Sequence, residues 1–175
     1  LLGALNRFLH ERFRKQALRF AEARRPRTPR PNGAERIIYG DKVMSTTNAL
    51  RGILGRERAL VSNGEIGIVV GETRFGNRWN KRTPERLDVE FGTQPGRTFV
   101  YWPGDFGDDG TVALELAYAL TVHKSQGNQF DRVFVVIPQP CFILGRELIY
   151  TALTRQVDGV VLFVQGQPSD LRTYT

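Results

Sequence analysis

Apolar residues recur every three or four positions from Leu2 to Phe20, with arginines between them. This period predicts an amphipathic helix with one buried apolar face. The residues expected on that face are Leu5, Leu9, Phe13, Ala17 and Phe20. A segment with three prolines and a glycine, RRPRTPRPNG, follows at residues 24–33, and no regular element can continue through it. Residues 24–36 are therefore predicted to be a basic linker.

Residues 40–110 have a different pattern, with short apolar or alternating runs separated by turn residues. Closely spaced short strands with turn signals are typical of a small antiparallel barrel. In one run, alternation predicts that Leu87, Val89 and Phe91 face inward and that Asp88 and Glu90 face outward. The predicted strands are KVMSTT at 42–47, GIVVG at 67–71, LDVEF at 87–91 and TFVYW at 98–102.

Of three later runs, residues 112–121 alternate apolar and polar at first and then become nearly all apolar, whereas 133–137 and 160–164 are continuous apolar runs rich in β-branched residues. Such runs predict strands covered on both faces, as in a parallel sheet flanked by helices. Helical spacing between the last two, at 146–156, completes a strand–helix–strand unit. The fold class predicted for the chain is therefore α/β with an inserted barrel.

Composition narrows the possible functions. The 175 residues include a single cysteine, which excludes an internal disulfide and a cysteine cluster for zinc. No apolar window is long enough for a membrane span, so a soluble, cytoplasmic protein without membrane contact is expected. The net charge of +7 lies wholly between Arg7 and Arg36. Such a segment suits nucleic acid phosphates, or it is a solvated helix face and linker.

Polar chemistry is concentrated in LTVHKSQGNQF, residues 120–130, between two apolar runs. In a parallel sheet, ligands bind where strand ends lead into helices, and the preceding run 112–121 is expected to place this loop at such a carboxyl edge. Its hydroxyl, amide, lysine and glycine groups suit phosphate. The alternative is a hydrogen-bonded turn with a satisfied histidine.

The segment YTALTR, residues 150–155, places an arginine at the end of a predicted helix whose other positions are expected to be buried. An arginine can stabilise charge on a transferring γ-phosphoryl group. Alternatively, Arg155 serves the helix dipole alone.

Taken together, TVHKSQGNQFDRVFVVIP and RELIYTALTR resemble motifs V and VI of superfamily 1 DNA helicases of the UvrD/RecD type. GDKVMSTTN…VSNGEIGIVV, within residues 40–70, resembles the start of the SH3-like module, called 2B, of RecD-type enzymes. The resemblance spans about Leu5 to Val164. It implies that residues 1–39 and 111–175 form part of a RecA-like helicase domain, 2A. Residues 40–110 would form an inserted SH3-like β-barrel.

The resemblance also implies site residues in the loop. Residues expected to contact or adjoin the backbone of single-stranded DNA are Thr121, His123 and Lys124. Residues expected to couple that contact to the nucleotide cleft are Ser125, Gln126 and Gly127. Gly127 and Gln129 would lie at the nucleotide, although Gln129 replaces the family's glutamate.

For the arginine helix, the resemblance implies that Arg155 is catalytic and reaches the γ-phosphate of ATP, with Tyr150 and Thr151 in support. No GxxxxGK[ST] sequence occurs, so ATP and Mg²⁺ are expected to be bound mainly by an N-terminal RecA-like domain of the same protein. The chain is therefore expected to be a C-terminal fragment that is inactive alone. The alternative is a non-catalytic nucleic-acid-binding adaptor.

Stacking platforms for bases are a further possibility, with barrel core as the alternative for each aromatic residue. The candidates are Tyr101 and Trp102, and Trp79 with its basic neighbours Arg78, Lys81 and Arg82.

Overall fold

The computed structural model describes residues 1–22, 35–55, 58–74, 85–106 and 112–167. The chain forms two compact units, residues 1–119 and 120–175. The described part has both helices and sheets, as expected for an α/β protein. The division of the chain into 2A and 2B domains stays a prediction.

In the described residues, the first unit contains one α-helix, a short 3-10 helix at Pro103–Asp105 and seven strands. The α-helix and the strands are α1 (Leu2–Glu22), β1 (Lys42–Ser45), β2 (Ala49–Gly52), β3 (Arg58–Val61), β4 (Ile66–Arg74), β5 (Glu85–Phe91), β6 (Thr98–Tyr101) and β7 (Leu114–Leu116). The second unit contains β8 (Phe130–Ile137), α2 (Arg146–Leu153) and β9 (Gln156–Val164).

An antiparallel sheet with strand order β6-β5-β4-β1-β7 forms the centre of the first unit. Hairpin β2-β3 is a separate two-stranded sheet, and the residues that follow β2 join it to β6 through a bridge between Ile53 and Phe99 and a hydrogen bond from Leu54 N–H to Thr98 O at 2.9 Å. The strands predicted from residues 42 to 102 are thus present. In the described residues they do not close into a barrel, so the SH3-like barrel is not confirmed.

Strand β5 confirms the predicted core and corrects one of its outward positions. Leu87, Val89 and Phe91 are buried in the core, and each such side chain is worth about 1.5–3 kcal/mol when fully buried. Asp88 is also buried, contrary to the expectation that it faces outward. Its Oδ1 lies 2.7 Å from Nε of Arg86, which is buried beside it and balances its charge.

Strand β7 differs from the strand predicted at residues 112–121. It is three residues long and pairs antiparallel with β1, so it belongs to the first unit's sheet and not to a parallel sheet. Leu114 and Leu116 are buried while Glu115 is only partly so. This alternation suits a sheet with one face on a core.

Helix α1 forms as predicted, but its buried face is rotated from the predicted one, so that Leu5, Leu9 and Ala17 are only partly buried. Phe13 is 72% exposed and Phe20 42% exposed. The buried residues are Asn6, His10, Leu18 and Ala21. Polar contacts of Asn6 and His10 and apolar packing of Leu18 and Ala21 against Ile38 together hold this helix.

The contacts that orient α1 converge on Asp41, whose side chain is fully buried. His10 Nε2 lies 2.8 Å from Asp41 Oδ2, and Arg14 Nε donates to Oδ1 at 3.1 Å. The carboxylate also accepts hydrogen bonds from Ile38 N–H at 2.8 Å and Tyr118 O–H at 3.0 Å. Burial, followed by the charge of Asp41, raises the pKa of Tyr118, which keeps this hydroxyl a donor.

A second polar contact ties the start of α1 to the end of the unit. Asn6 Nδ2 donates to Ala119 O at 3.0 Å, and Ala119 N–H donates back to Asn6 Oδ1 at 2.8 Å. A reciprocal amide pair satisfies a buried side chain and an otherwise unpaired stretch of backbone.

The second unit confirms the predicted strand–helix–strand unit. Strands β8 and β9 are parallel and α2 connects them, but this two-stranded sheet does not by itself confirm a RecA-like domain. The expectation that both faces are covered is wrong for this chain. One face exposes four apolar residues, Phe134, Val136, Val161 and Phe163.

Several expectations fall on residues that the structure does not describe, namely 24–34 of the linker and the group around Trp79. Of the other proposed stacking residues, Tyr101 is fully buried and belongs to the core. Trp102 is 40% exposed, and the Arg86 guanidinium lies 5.9 Å from its ring centre.

Replacing Asp41 tests the role of the buried carboxylate. We expect Asp41→Ala to lower the free energy of unfolding by about 3 kcal/mol, because it leaves Arg14 and His10 without their acceptor. Urea unfolding followed by circular dichroism measures this. Glu11→Ala, an exposed acidic position on α1, is the control. Equal stability of the two variants would contradict the assignment.

Gly40 offers a second test because a side chain there meets Arg14. Its φ is +81°, and an added Cβ would lie 2.8 Å from Arg14 Nη2, a group that donates to Tyr39 O. Gly55, with φ of +67°, has nothing within 4 Å. We expect Gly55→Ala to cost about 1 kcal/mol for its φ alone and Gly40→Ala about 2 kcal/mol or more, measured as urea midpoints. Similar losses of stability in the two variants would show that the Arg14 side chain moves away from the added methyl group at little cost.

Candidate functional site

The polar loop and Arg155 lie together at the amino ends of β8 and β9. Phe130, the first residue of β8, pairs with Gln156, the first residue of β9. The Phe130 N–H donates to the carbonyl of Arg155 at 2.9 Å. The loop was expected at the carboxyl end of a parallel strand, and this is wrong because β7 pairs elsewhere. The parallel ladder instead brings the loop's end and Arg155 to one edge.

The first half of the loop is a tight turn held by its own polar groups. Residues His123–Ser125 form a single 3-10 turn. The Thr121 carbonyl accepts from Ser125 N–H at 3.1 Å, and the Thr121 hydroxyl oxygen accepts from Lys124 N–H at 3.3 Å. The Ser125 hydroxyl donates to Val122 O at 2.7 Å. Ser125 is buried, so its side chain shapes the loop rather than contacting solvent.

The second half of the loop turns back toward β8 at Gly127. Gln126 N–H donates to His123 O at 3.2 Å, and Asn128 N–H donates to Ser125 O at 3.1 Å. Gly127 has a φ of +82°, a conformation that glycine adopts without the cost that a Cβ carries. The glycine thus allows Asn128 to reach the position from which it contacts Arg155.

Five loop residues present their surfaces to solvent: Thr121, His123, Gln126, Gly127 and Gln129. Lys124 is half-buried. The loop therefore offers an imidazole, amides, a hydroxyl and a partly covered ammonium, which can donate hydrogen bonds to phosphate oxygens. The hydrogen-bonded turn of the second alternative is present, and phosphate binding by the exposed groups stays a prediction.

Arg155 follows α2 and is half-buried. Its Nε donates to Thr151 O at 3.2 Å, Nη2 donates to Thr154 Oγ1 at 3.2 Å, and Nη1 donates to Asn128 O at 3.5 Å. The first of these is a bond to a helix C-terminal carbonyl, which the helix dipole favours. The third joins the side chain to the polar loop.

These bonds leave Arg155 with unused capacity for an anion. A guanidinium has five N–H donors, and the three acceptors here are all neutral oxygens. In the described part of the chain, Arg155 has no carboxylate within ion-pair distance. Its charge is therefore not neutralised locally, and bonds of 3.2–3.5 Å are readily exchanged for shorter, charge-assisted ones.

Two residues at this site have no role in the sequence-based prediction. Asn128 acts through its carbonyl, and Thr154 accepts from Arg155 while donating to Thr151 O at 3.1 Å. Thr151 contributes its backbone carbonyl, whereas Tyr150 is 70% exposed, so the expectation that the other helix positions are buried is wrong. Thr154 directly precedes Arg155 in YTALTR, and this adjacency is the sequence feature from which its contact with Arg155 could have been predicted.

Two further observations concern ligands and membranes. In the described residues, no three or more His, Cys, Asp or Glu side chains are grouped as a metal site would require. Within the same residues, no helix has the length and apolar content needed to cross a membrane.

Comparison with known proteins places this site in a family. Residues 116–163, which include the loop, β8, α2, Arg155 and most of β9, match the model of the UvrD-like helicase C-terminal domain. RecBCD enzyme subunit RecD of Mycobacterium tuberculosis is 54% identical over an alignment covering 44% of this chain and 20% of the relative. The subunit of the same name in Mycolicibacterium smegmatis is 48% identical, covering 53% and 13%.

A further relative is the ATP-dependent RecD2 DNA helicase of Deinococcus radiodurans, 48% identical over 26% of this chain and 6% of that protein. The chain thus spans between 6% and 20% of the length of these relatives. The family match and the two RecD subunits agree with the motifs at residues 121–155. The chain contains a C-terminal helicase region of the superfamily 1 UvrD/RecD type.

Proposed function

We propose that this chain is the C-terminal part of an ATP-dependent DNA helicase or translocase. In this proposal Arg155 is an arginine finger, and the loop at residues 121–129 couples single-stranded DNA to the nucleotide. The observation that carries the proposal is the double contact between Arg155 and the loop's end, through Phe130 N–H and Asn128 O. The family match and the RecD relatives support the class of protein.

Arg155 fits a phosphate by both charge and donors. Its guanidinium bonds only neutral oxygens, and its planar fork suits two phosphate oxygens at once. ATP bound with Mg²⁺ supplies the phosphoryl group whose developing negative charge an arginine finger stabilises. We assign the binding of both mainly to an N-terminal RecA-like domain outside this chain. Gly127 and Gln129, both exposed on the loop, are proposed to lie beside the nucleotide.

The loop's exposed surface is proposed to contact the DNA backbone. Thr121, His123 and Lys124 supply a hydroxyl, an imidazole and an ammonium within one tight turn. Gln126 is exposed at the end of the turn, and Ser125 fixes its shape through Val122 O. Such groups hydrogen-bond phosphates without reading sequence.

Coupling follows from the shared bond between arginine and loop. When Arg155 turns toward a phosphate, its long bond to Asn128 O is the one most easily lost. The backbone bond from Phe130 N–H to Arg155 O keeps the two segments in register meanwhile. Loss of the bond from Arg155 to Asn128 O therefore changes the contacts of the loop at Asn128 and the neighbouring Gly127. Tyr150 and Thr151 are proposed to hold the end of α2, Thr151 through its carbonyl.

Arg155→Ala in the full-length protein tests the finger. We expect DNA-stimulated ATP hydrolysis to fall by about 10³-fold or more, because the transition-state charge loses its partner, while DNA binding is largely kept. Steady-state phosphate release measures this. Arg146→Ala, an exposed arginine in the first turn of α2, is the matched control. Unchanged turnover with retained DNA binding would refute the finger and favour the non-catalytic adaptor.

His123→Ala combined with Lys124→Ala tests the loop. We expect single-strand affinity at low salt to fall about tenfold, because two phosphate contacts are removed. Fluorescence anisotropy with labelled oligothymidine measures it. Arg58→Ala combined with Arg97→Ala, two exposed arginines of the first unit, controls for net charge. An affinity equal to that of the control would remove the loop from the DNA site.

A further inference from the structure

Helix α1 has an outer face that the fold does not use. Phe8, Arg12, Lys15 and Arg19 are spaced by four, three and four residues, so they form one stripe along the helix. All four are exposed, Phe8 at 62%. The opposite face, with Asn6, His10 and Arg14, makes the contacts that orient the helix. We call these four residues the outer stripe.

The positive charge of the outer stripe is not balanced by nearby acids. Of the other charged groups on α1, Arg14 is committed to Asp41, and Glu22 is paired with Arg36. Glu11 lies toward one edge of the stripe and is exposed. In the part of the chain that the structure describes, Arg12, Lys15 and Arg19 have no ion-pair partner. Three cations in line are therefore available to a polyanion.

We propose that the outer stripe is a second contact surface for single-stranded DNA, separate from the loop at residues 121–129. Arg12 and Arg19 are seven residues apart, about 10 Å along a helix. Successive phosphates of one strand lie along its backbone, so three cations in line over this length can contact neighbouring phosphates of the same strand. The exposed ring of Phe8 offers a stacking face, which unpaired bases can use and a duplex cannot.

This inference rests on the proposed function for the identity of its ligand as DNA. Its physical basis is independent, because it uses charge and aromatic exposure on α1 and no residue of the loop. If the stripe is only a solvated helix face, removing its charges changes affinity no more than removing charges elsewhere. If it contacts phosphates, each lost contact lowers the dependence of binding on salt.

The test uses the 175-residue chain and the variant Arg12→Gln, Lys15→Gln, Arg19→Gln, since glutamine preserves helix propensity. Anisotropy with labelled oligothymidine is measured across a salt series. We expect affinity at low salt to fall at least tenfold, and the slope of log K against log salt to decrease by about 2. Circular dichroism checks that α1 remains folded.

Two comparisons make the result specific. The triple variant Lys42→Gln, Arg58→Gln, Arg97→Gln removes the same charge from exposed positions of the first unit outside α1. It should leave the slope of log K against log salt near that of the unmodified chain. Phe8→Leu should weaken binding of single strands by about fivefold or more and leave duplex binding unchanged.

The outcomes separate this inference from the proposed function. The inference is overturned if the stripe variant and the unmodified chain have equal salt slopes. It is also overturned if both triple variants lose the same affinity, or if the unmodified chain does not bind. Loss restricted to duplex DNA would overturn it as well. None of these results bears on Arg155, which is tested by ATP hydrolysis. A loss for the stripe variant that adds to the loss for His123→Ala with Lys124→Ala would support two separate contacts.

Discussion

One backbone contact, the hydrogen bond from Phe130 N–H to Arg155 O, joins the polar loop to the end of α2 in the second unit. It places the end of the polar loop and the end of α2 at the same edge of β8 and β9, although 25 residues of chain separate them. A register irregularity between Phe130 and Arg132 separates this pair from the regular part of the ladder, and the backbone bond holds the two segments together at that edge. The guanidinium above it makes only long bonds to neutral oxygens and can change partners. A fixed backbone with a changeable side chain is what a coupled site requires.

In the first unit the corresponding constraint is the buried carboxylate of Asp41. A fully buried charge is tolerated only with several donors, and here a histidine, an arginine, a tyrosine and a backbone amide converge on it. The requirement for these donors sets the rotation of α1 about its axis. As a consequence, α1 places its paired polar residues inward and leaves Phe8, Arg12, Lys15 and Arg19 outside.

The sequence pattern predicted local elements well and non-local choices poorly. Strands β1, β4, β5, β6, β8 and β9 follow from alternation or apolar runs because those patterns reflect which faces of a strand are covered. The predicted buried face of α1 is rotated from the observed one, because the sequence near α1 does not show that His10 contacts Asp41. The prediction that Asp88 faces outward is wrong because Arg86 neutralises its charge in a buried position. The prediction that β7 belongs to a parallel sheet is wrong because three alternating residues do not specify which strand pairs with them. At the site, the residue types and their order were sufficient to identify the polar loop and Arg155 as candidate site residues. The contacts of Asn128 and Thr154 with Arg155 could not be predicted, because Asn128 acts through its backbone carbonyl, which every residue carries, and Thr154 through a single hydrogen bond.

In the proposed function, Arg155 leaves Asn128 O for a phosphate when nucleotide is bound. A structure of the full-length protein with a metal-fluoride analogue of the transferring phosphoryl group and single-stranded DNA measures this directly. We expect a guanidinium nitrogen of Arg155 within about 2.7–2.9 Å of the analogue, and the Phe130 N–H to Arg155 O bond still in place. Arg155 remaining on Asn128 O and Thr151 O, with another residue at the phosphate, would contradict it.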